Sequence, residues 1–448
     1  NDSDALDFAA EQRPKIRRIA LVHDPLARIR MDVGGTRRDA RKLRMRQDGK
    51  HGDFEKLGRR YHRDIFGLYA LGHCSIPPAP GNEFARDGAK RPGMTIDELD
   101  TPALLLDLDA VERNLDRMAA EFAPTHVKLR PHAKTHKTAT LAQMQLARGA
   151  VGICCAKLGE AQALCDGGIR DILVTSELAG RAKVERAVAL AKRARLTVVV
   201  DSTAVAEPLG RAAAAAGLTL RTLVDVNVGQ NRAGVMPGAP ALELATFVER
   251  TRGLQLVGLQ GYEGHLQHIA DAAARGEADA GALSLLCETA AAFRTAGFST
   301  EVVTTGGTGT SRFAPGFEAI TDVQPGSYAV MDAQYGAVDG LGYEYALSVL
   351  ATVISVRGGV AILDAGYKSL SDDAGPPRLL AGGAAFSFAG DEFGKITSEN
   401  GTAPAVGDKL RLIPGHCDTT INLHDEYQVH RAESVTERWT IVARGKSR

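Results

Sequence analysis

Over positions 128–137 the sequence reads Lys-Leu-Arg-Pro-His-Ala-Lys-Thr-His-Lys, which gathers Lys128, Arg130, Lys134 and Lys137 with His132 and His136. Cations this close repel one another. Repulsion favours the neutral amine, and a neutral lysine is a nucleophile able to form a Schiff base. The bland alternative is a solvated basic loop. Two further stretches bear on the choice. Positions 305–309, Thr-Gly-Gly-Thr-Gly, have the form of an anion cradle, in which backbone N–H groups converge on a phosphate and hydroxyls add donors. The cradle lacks the Lys-Ser/Thr ending of a nucleoside-triphosphate loop, and positions 324–328, Gln-Pro-Gly-Ser-Tyr, supply a second small-residue turn to complete it. Positions 414–418, Pro-Gly-His-Cys-Asp, set His416 and Asp418 two apart, on one side of an extended segment. An imidazole with a carboxylate suits a divalent ion such as manganese or zinc; the alternative is a polar turn beside His424 and Asp425.

These residues need elements to position them. Apolar runs at 103–107, 127–130, 151–155, 171–175, 196–200, 218–227, 254–262 and 300–305 read as strands. Helical patterns follow at 110–122, 139–147, 158–165, 181–194, 204–215, 239–250 and 269–296. Short apolar strands alternating with helices imply parallel β/α units, and eight of them close into a (β/α)8 TIM-type barrel, with an open doubly wound sheet as the rival. Beyond Gly340 the pattern changes to strands at 346–356, 360–364, 409–413 and 439–443, a separate all-β domain. The reading divides the chain into an extension over 1–93, a barrel over 94–340 and a β domain over 341–448. These strand assignments put Lys134, Arg232, Tyr262 to His268 and the 305–309 cradle after strand C-termini, the end of a barrel where chemistry gathers. A lysine beside a phosphate cradle there suggests pyridoxal phosphate.

Composition narrows the partners. Lys+Arg and Asp+Glu are equal at 54 each, which gives no reason to expect nucleic acid or an anionic membrane. No apolar run is long enough to span a bilayer. The six cysteines lack zinc-ribbon spacing and read as reduced thiols of a cytoplasmic protein. Residues 1–93 carry little periodicity, and the patterned sequence starts at Met94. The expectation is that Met94 is the natural start and that the preceding residues are disordered or foreign to the natural protein.

From about Asp100 onward the chain resembles the D-threonine aldolase family of fold-type III pyridoxal-phosphate enzymes, which pair an alanine-racemase-like barrel with a metal-binding β domain. The motifs that carry the resemblance lie at 130–137, 152–155, 225–234, 305–309, 325–329, 363–368, 415–418 and 422–425. The resemblance implies that Lys134 is the Schiff-base lysine and His268 the base at the substrate hydroxyl. It implies that Arg232 faces the pyridine nitrogen, which it would keep unprotonated. Tyr262, Thr305, Gly306, Gly307, Thr308, Gly309, Gly326, Ser327 and Tyr328 are implied as cofactor contacts, and His416 and Asp418 as ligands of manganese or else magnesium, cobalt or zinc. Glu263 and His265 depart from the commoner residues of their loop, which bears on substrate choice. Phe393 stands where a histidine is frequent, which bears on the outer polar shell of the site. The implied reaction is retro-aldol cleavage of a D-β-hydroxy-α-amino acid, D-threonine giving glycine and acetaldehyde. The implied assembly is a homodimer whose active site borrows the partner's β domain. The rivals are a D-serine or D-3-hydroxyaspartate dehydratase, a D-3-hydroxyaspartate aldolase and a non-catalytic cofactor carrier. Such dehydratases resemble a His-x-Cys ligand pair where this chain has Asp418, and such carriers lack a β domain.

Overall fold

The computed structural model describes residues 93–398 and 404–448. The expectation for the N-terminal extension lies outside the described residues. Eight short strands form one parallel sheet, ordered Lys128–Leu129, Asp322–Val323, Val302–Thr305, Leu254–Gln260, Leu220–Asp225, Arg195–Val200, Asp171–Val174 and Ile153–Cys155. The two outer strands then meet. Val151 N donates to Leu129 O and Cys154 N to Pro131 O, both at 2.8 Å, and His132 pairs with Cys154. The sheet therefore curls on itself as a parallel barrel, with helices such as Ala139–Ala147, Leu158–Asp166 and Ala272–Thr295 following its strands.

Strands covered on both faces read as continuous apolar runs rather than alternating ones. Ile153 and Cys155 pack with the outer helices, whereas Cys154 joins Leu173, Val199, Leu223, Val257 and Val302 in a separate cluster that fills the interior. Below that layer the Arg130 guanidinium donates to Asp322 Oδ2 (2.9 Å) and Asp171 Oδ1 (2.5 Å). Both carboxylates open their strands, so this network closes the N-terminal end of the barrel. Access is left at the opposite end.

One assignment from the sequence is corrected. Ala103–Asp107 is not a barrel strand. It lies in the second sheet, antiparallel to Leu347–Arg357 and parallel to Glu426–Arg431. The barrel's remaining strand is Asp322–Val323, only two residues long and too short to leave a periodic signal. The second sheet has ten strands and takes Met94–Thr95 and Ala103–Asp107 from ahead of the barrel. Leu347–Arg357 is its spine, pairing with Ala103–Asp107, Lys409–Ile413 and Val360–Leu363. This lobe also holds a five-residue helix, Cys417–Ile421, inside the segment read as extended.

Candidate active site

A cavity of about 340 Å³ opens at the C-terminal ends of the barrel strands. Its walls include His132, Lys134, Thr175, Arg232, Tyr262, His268, Gly307, Thr308, Gln324, Gly326, Ser327, Tyr335, His416 and Asp418. The turn that carries Lys134 is fixed by Ala133 N donating to Cys154 O (2.8 Å) and by Lys134 N donating to His132 Nδ1 (3.3 Å). With Nδ1 accepting, His132 has Nε2–H to donate to Thr175 Oγ1, 3.1 Å away.

Repulsion does not set the charge state of Lys134, because the segment carries its lysines and arginine into different surroundings. Arg130 turns to the barrel floor, Lys137 forms a buried ion pair with Glu160, and Lys128 is exposed. Lys134 Nζ lies 3.6 Å from Asp418 Oδ2. Burial pulls the amine's pKa down, but Asp418 and then Tyr262 outweigh it and hold the group above the usual lysine range. The expectation of a depressed lysine pKa is thus overturned. The 39% exposure of the Lys134 side chain is exposure to the cavity it lines.

Two turns form a small-residue cup beside the lysine. Thr308 Oγ1 accepts from Tyr328 N (3.0 Å) and ties the 305–309 turn to the 325–328 turn. Gly306 has φ +78°, which favours glycine, and a Cβ at Gly326 would stand 2.7 Å from Thr135 Oγ1 and 2.8 Å from His132 O. Among the described residues nothing accepts from the backbone N–H of Thr308, Gly326 or Ser327. Buried N–H groups seek acceptors, so the cup fits a phosphate. Thr305, Gly306, Gly309 and Tyr328 stand behind the wall instead. Tyr328 is buried, its hydroxyl accepting from Gln145 Nε2 at 3.2 Å.

Behind the cup is Glu263, which is wholly buried. Its Oε2 accepts from Thr305 Oγ1 (2.7 Å) and Gly306 N (3.3 Å), and its Oε1 from Thr310 Oγ1 (2.5 Å) and Gln267 Nε2 (3.1 Å). Gln267 in turn accepts from Gly309 N (2.9 Å). Glu263 therefore shapes the cup and has no surface facing a substrate. His265 is exposed beside Gly229, and Phe393 is 42% exposed on the β lobe; neither lines the cavity.

Arg232 comes from the loop after Leu220–Asp225, whose shape is held by Asn227 Oδ1 accepting from Gly229 N and Asn231 N, both at 3.1 Å. Its guanidinium carbon stands 5.7 Å from the centre of the Tyr262 ring. His268 meets Tyr335 at 4.5 Å between ring centres. Burial, then His416 and Lys134, lowers the His268 pKa to about 4, so the imidazole is neutral at pH 7.

His416 and Asp418 come from the same chain as Lys134, so the chain's own β lobe roofs the cavity. The two residues do not converge by strand alternation. His416 is extended and precedes the short helix, while Asp418 lies in its first turn. His416 Nδ1 is 2.7 Å from Asp373 Oδ2, and its Nε2 stands 4.0 Å from Asp418 Oδ1. Burial works to raise the Asp418 pKa, yet Lys134 and His416 hold it down at about 2. Among the described residues no group of three or more His, Cys, Asp or Glu side chains is placed to hold a metal ion. The pair's nitrogen and oxygen donors, with the imidazole oriented by Asp373, suit a divalent cation whose other positions stay open to water or substrate.

Two family models match most of the described chain. The alanine racemase N-terminal domain matches residues 106–334, and the serine dehydratase domain matches 346–430. D-threonine aldolase of an Arthrobacter species is 41% identical over 364 residues, which is 80% of this chain and 96% of the relative. The chain belongs to the D-threonine aldolase family. The crystal structure of the Filomicrobium marinum D-threonine aldolase superposes with a TM-score of 0.77 at 41% identity, covering 81% of this chain and 98% of that one. The 3-hydroxy-D-aspartate aldolase of Paracoccus denitrificans is 37% identical, covering 82% and 97%. The protein is an enzyme, a lyase of the aldolase type.

Several residues of this site carried no separate signal in the sequence. Tyr335 and Asp373 sit in ordinary turn sequence and acquire a role only through their distant contacts with His268 and His416. Gln324 was legible as part of a turn, but its bonds to Gln260 Oε1 (3.2 Å) and Thr304 Oγ1 (3.0 Å) were not.

Proposed function

We propose that the protein cleaves D-3-hydroxy-α-amino acids by a retro-aldol reaction, using pyridoxal 5'-phosphate and a divalent cation, manganese foremost, and taking D-threonine to glycine and acetaldehyde. The observation that carries this reading is the convergence of Lys134, His268, His416 and Asp418 on one cavity beside the cup, with Asp418 3.6 Å from the lysine and 4.0 Å from His416. Lys134 would hold the cofactor aldehyde, the free N–H groups of Thr308, Gly326 and Ser327 its phosphate, and Arg232 the edge of its ring nitrogen. His416 and Asp418 would hold the cation. When bound, the cofactor supplies a sink for the electrons released at Cα, and the cation draws density from the β-hydroxyl.

The remaining work falls to side chains. Cleavage of Cα–Cβ requires the β-hydroxyl to lose its proton. His268, neutral at pH 7, presents a free lone pair to take it. Asp373 fixes the plane of His416, and the Tyr262 ring supports the Arg232 guanidinium. The five described cysteines are free thiols, which supports a cytoplasmic setting. A homodimer is the assembly we infer from the family, and sedimentation of the purified protein would test it.

Incubating the purified protein with D- and L-threonine, with and without manganese, tests the function. Glycine formed from the D-isomer only, and only with manganese, is the expected outcome. Ammonia and a 2-oxo acid would assign a dehydratase instead. Faster release of glycine from 3-hydroxy-D-aspartate than from D-threonine would move the substrate to the one named for the Paracoccus relative.

A further inference from the structure

His268 stands on the barrel side of the cavity and the His416–Asp418 pair on the β lobe. Something must hold the two halves in register. Asp332 is wholly buried, lines no part of the cavity, and touches both halves. Its Oδ1 accepts from Tyr335 N at 2.8 Å, and its Oδ2 accepts from Cys417 N, also at 2.8 Å. Tyr335 carries the ring that meets His268 at 4.5 Å, and among the described residues no hydrogen bond fixes the His268 imidazole itself. Cys417 is the residue between His416 and Asp418. Asp332 and Cys417 lie 85 positions apart in the chain, so this contact is a tertiary staple and not a local turn. Two backbone bonds run alongside it, Ala333 N to Pro414 O (3.0 Å) and Gln334 N to Gly415 O (3.2 Å).

We propose that Asp332 is a positioning residue that sets the distance between His268 and the His416–Asp418 pair by clamping the amides of Tyr335 and Cys417 with its two oxygens. A carboxylate accepting one amide at each oxygen is rigid in a way that a single hydrogen bond is not. Removing it leaves the first turn of the helix that presents Asp418 and the turn that presents Tyr335 joined by the two backbone bonds alone, so both loosen, while the lysine and the cup keep their own supports. Residues that orient ligands without touching the ion typically control affinity by roughly 10–100-fold.

This inference rests on reading His416 and Asp418 as cation ligands, and the test separates the two. Full-length protein loaded with pyridoxal phosphate is titrated with Mn²⁺ while free ion is followed by electron paramagnetic resonance. Backbone amide exchange is measured on the cation-free protein in parallel. Asp332→Ala should weaken Mn²⁺ binding by roughly 10–100-fold. Asp332→Asn, which keeps one acceptor and sets an NH2 against the other amide, should weaken it less. In both variants exchange should quicken at Tyr335 and Cys417 together, the visible absorbance of bound cofactor should persist, and excess Mn²⁺ should restore most of the lost activity. Wild-type Mn²⁺ affinity with unchanged exchange at both amides, in a folded variant, overturns the proposal. Failure of both variants to fold also overturns it, since Asp332 would then hold the fold and not the site. If the wild-type protein binds no Mn²⁺, the ligand reading fails, and the exchange arm alone decides whether Asp332 clamps the two segments.

Discussion

Truncating Glu263 should loosen cofactor binding and leave substrate choice alone. The wholly buried carboxylate accepts from two hydroxyls, one backbone N–H and one side-chain amide. In Glu263→Ala the hydroxyls can rotate to other partners, but Gly306 N–H and the Gln267 amide cannot turn away freely. Leaving a buried donor unsatisfied costs about 1–3 kcal/mol each. Two such donors set the loss at about 2–6 kcal/mol, and water entering the vacated space favours the lower half. Gly306 and Gly307 are adjacent, and Gly307 N–H donates to Thr310 Oγ1 (3.2 Å), which itself donates to Glu263, so the disturbance reaches the cup directly. At about 1.4 kcal/mol per factor of ten, a loss of about 3 kcal/mol felt wholly at the cup weakens pyridoxal-phosphate affinity by roughly 100-fold, which is the ceiling of the effect. In Glu263→Gln the carbonyl oxygen keeps the Thr305 hydroxyl and Gly306 N–H, while the amide nitrogen at the Oε1 position faces the Gln267 amide and a Thr310 hydroxyl that already accepts from Gly307 N and Gln267 Nε2, so one donor is left unmatched. Only about 1–2 kcal/mol should then be lost, which is roughly 5–30-fold. Equilibrium titration of apoprotein by cofactor absorbance measures both. Unaltered cofactor affinity in Glu263→Ala, with a changed ratio of D-threonine to 3-hydroxy-D-aspartate turnover, would refute this account and restore Glu263 to the substrate pocket.

Lys134→Ala should abolish the visible absorbance of bound cofactor and reduce cleavage to background; retained absorbance would place the attachment elsewhere. His416→Ala should keep that absorbance and lose manganese-stimulated activity, and cleavage that survives a chelator in the unmodified protein would remove the cation from the reaction. Glu160→Gln leaves Lys137 charged and unpaired at 7% exposure, so chemical denaturation should register a loss of about 3–5 kcal/mol, and a loss below 1 kcal/mol would contradict the pairing. His136 is wholly buried, and burial lowers its pKa from 6.5 to about 4. The unfolded chain therefore binds this proton first, stability falls as pH drops from 6.5 toward 4, and the loss amounts to about 3 kcal/mol at about 1.4 kcal/mol per unit. Denaturation midpoints at pH 7 and pH 5 should differ less in His136→Gln than in the unmodified protein; equal differences would exclude His136 as the source.

The sequence disclosed the barrel more fully than the β lobe, for a physical reason. Barrel strands are covered on both faces and followed by helices, so their apolar runs and the switch to helical period mark them. Ala139–Ala147 and Ala239–Arg250 fall where that pattern puts them. Ala103–Asp107 carries the same local mark, an apolar run ahead of the helix Leu108–Phe122, yet it pairs with Leu347–Arg357. Only tertiary pairing separates the two cases. Ala384–Phe388 and Gly394–Ser398 escaped notice because their polarity is mixed on a half-exposed hairpin.

The run at 128–137 exposes the limit of local reading most clearly. Its cations are neighbours in the chain, and electrostatics argued from that fact alone gives the wrong sign for Lys134. Each buried or lining cation instead meets a carboxylate from another element: Arg130 meets Asp171 and Asp322, Lys134 meets Asp418, and Lys137 meets Glu160. The segment threads the barrel from floor to rim, so residues three or four apart along it end in different surroundings. Repulsion between them is replaced by pairings that only the folded chain creates. The type of Lys134 could be read from the sequence, but its charge state depends on a carboxylate supplied by the far end of the chain.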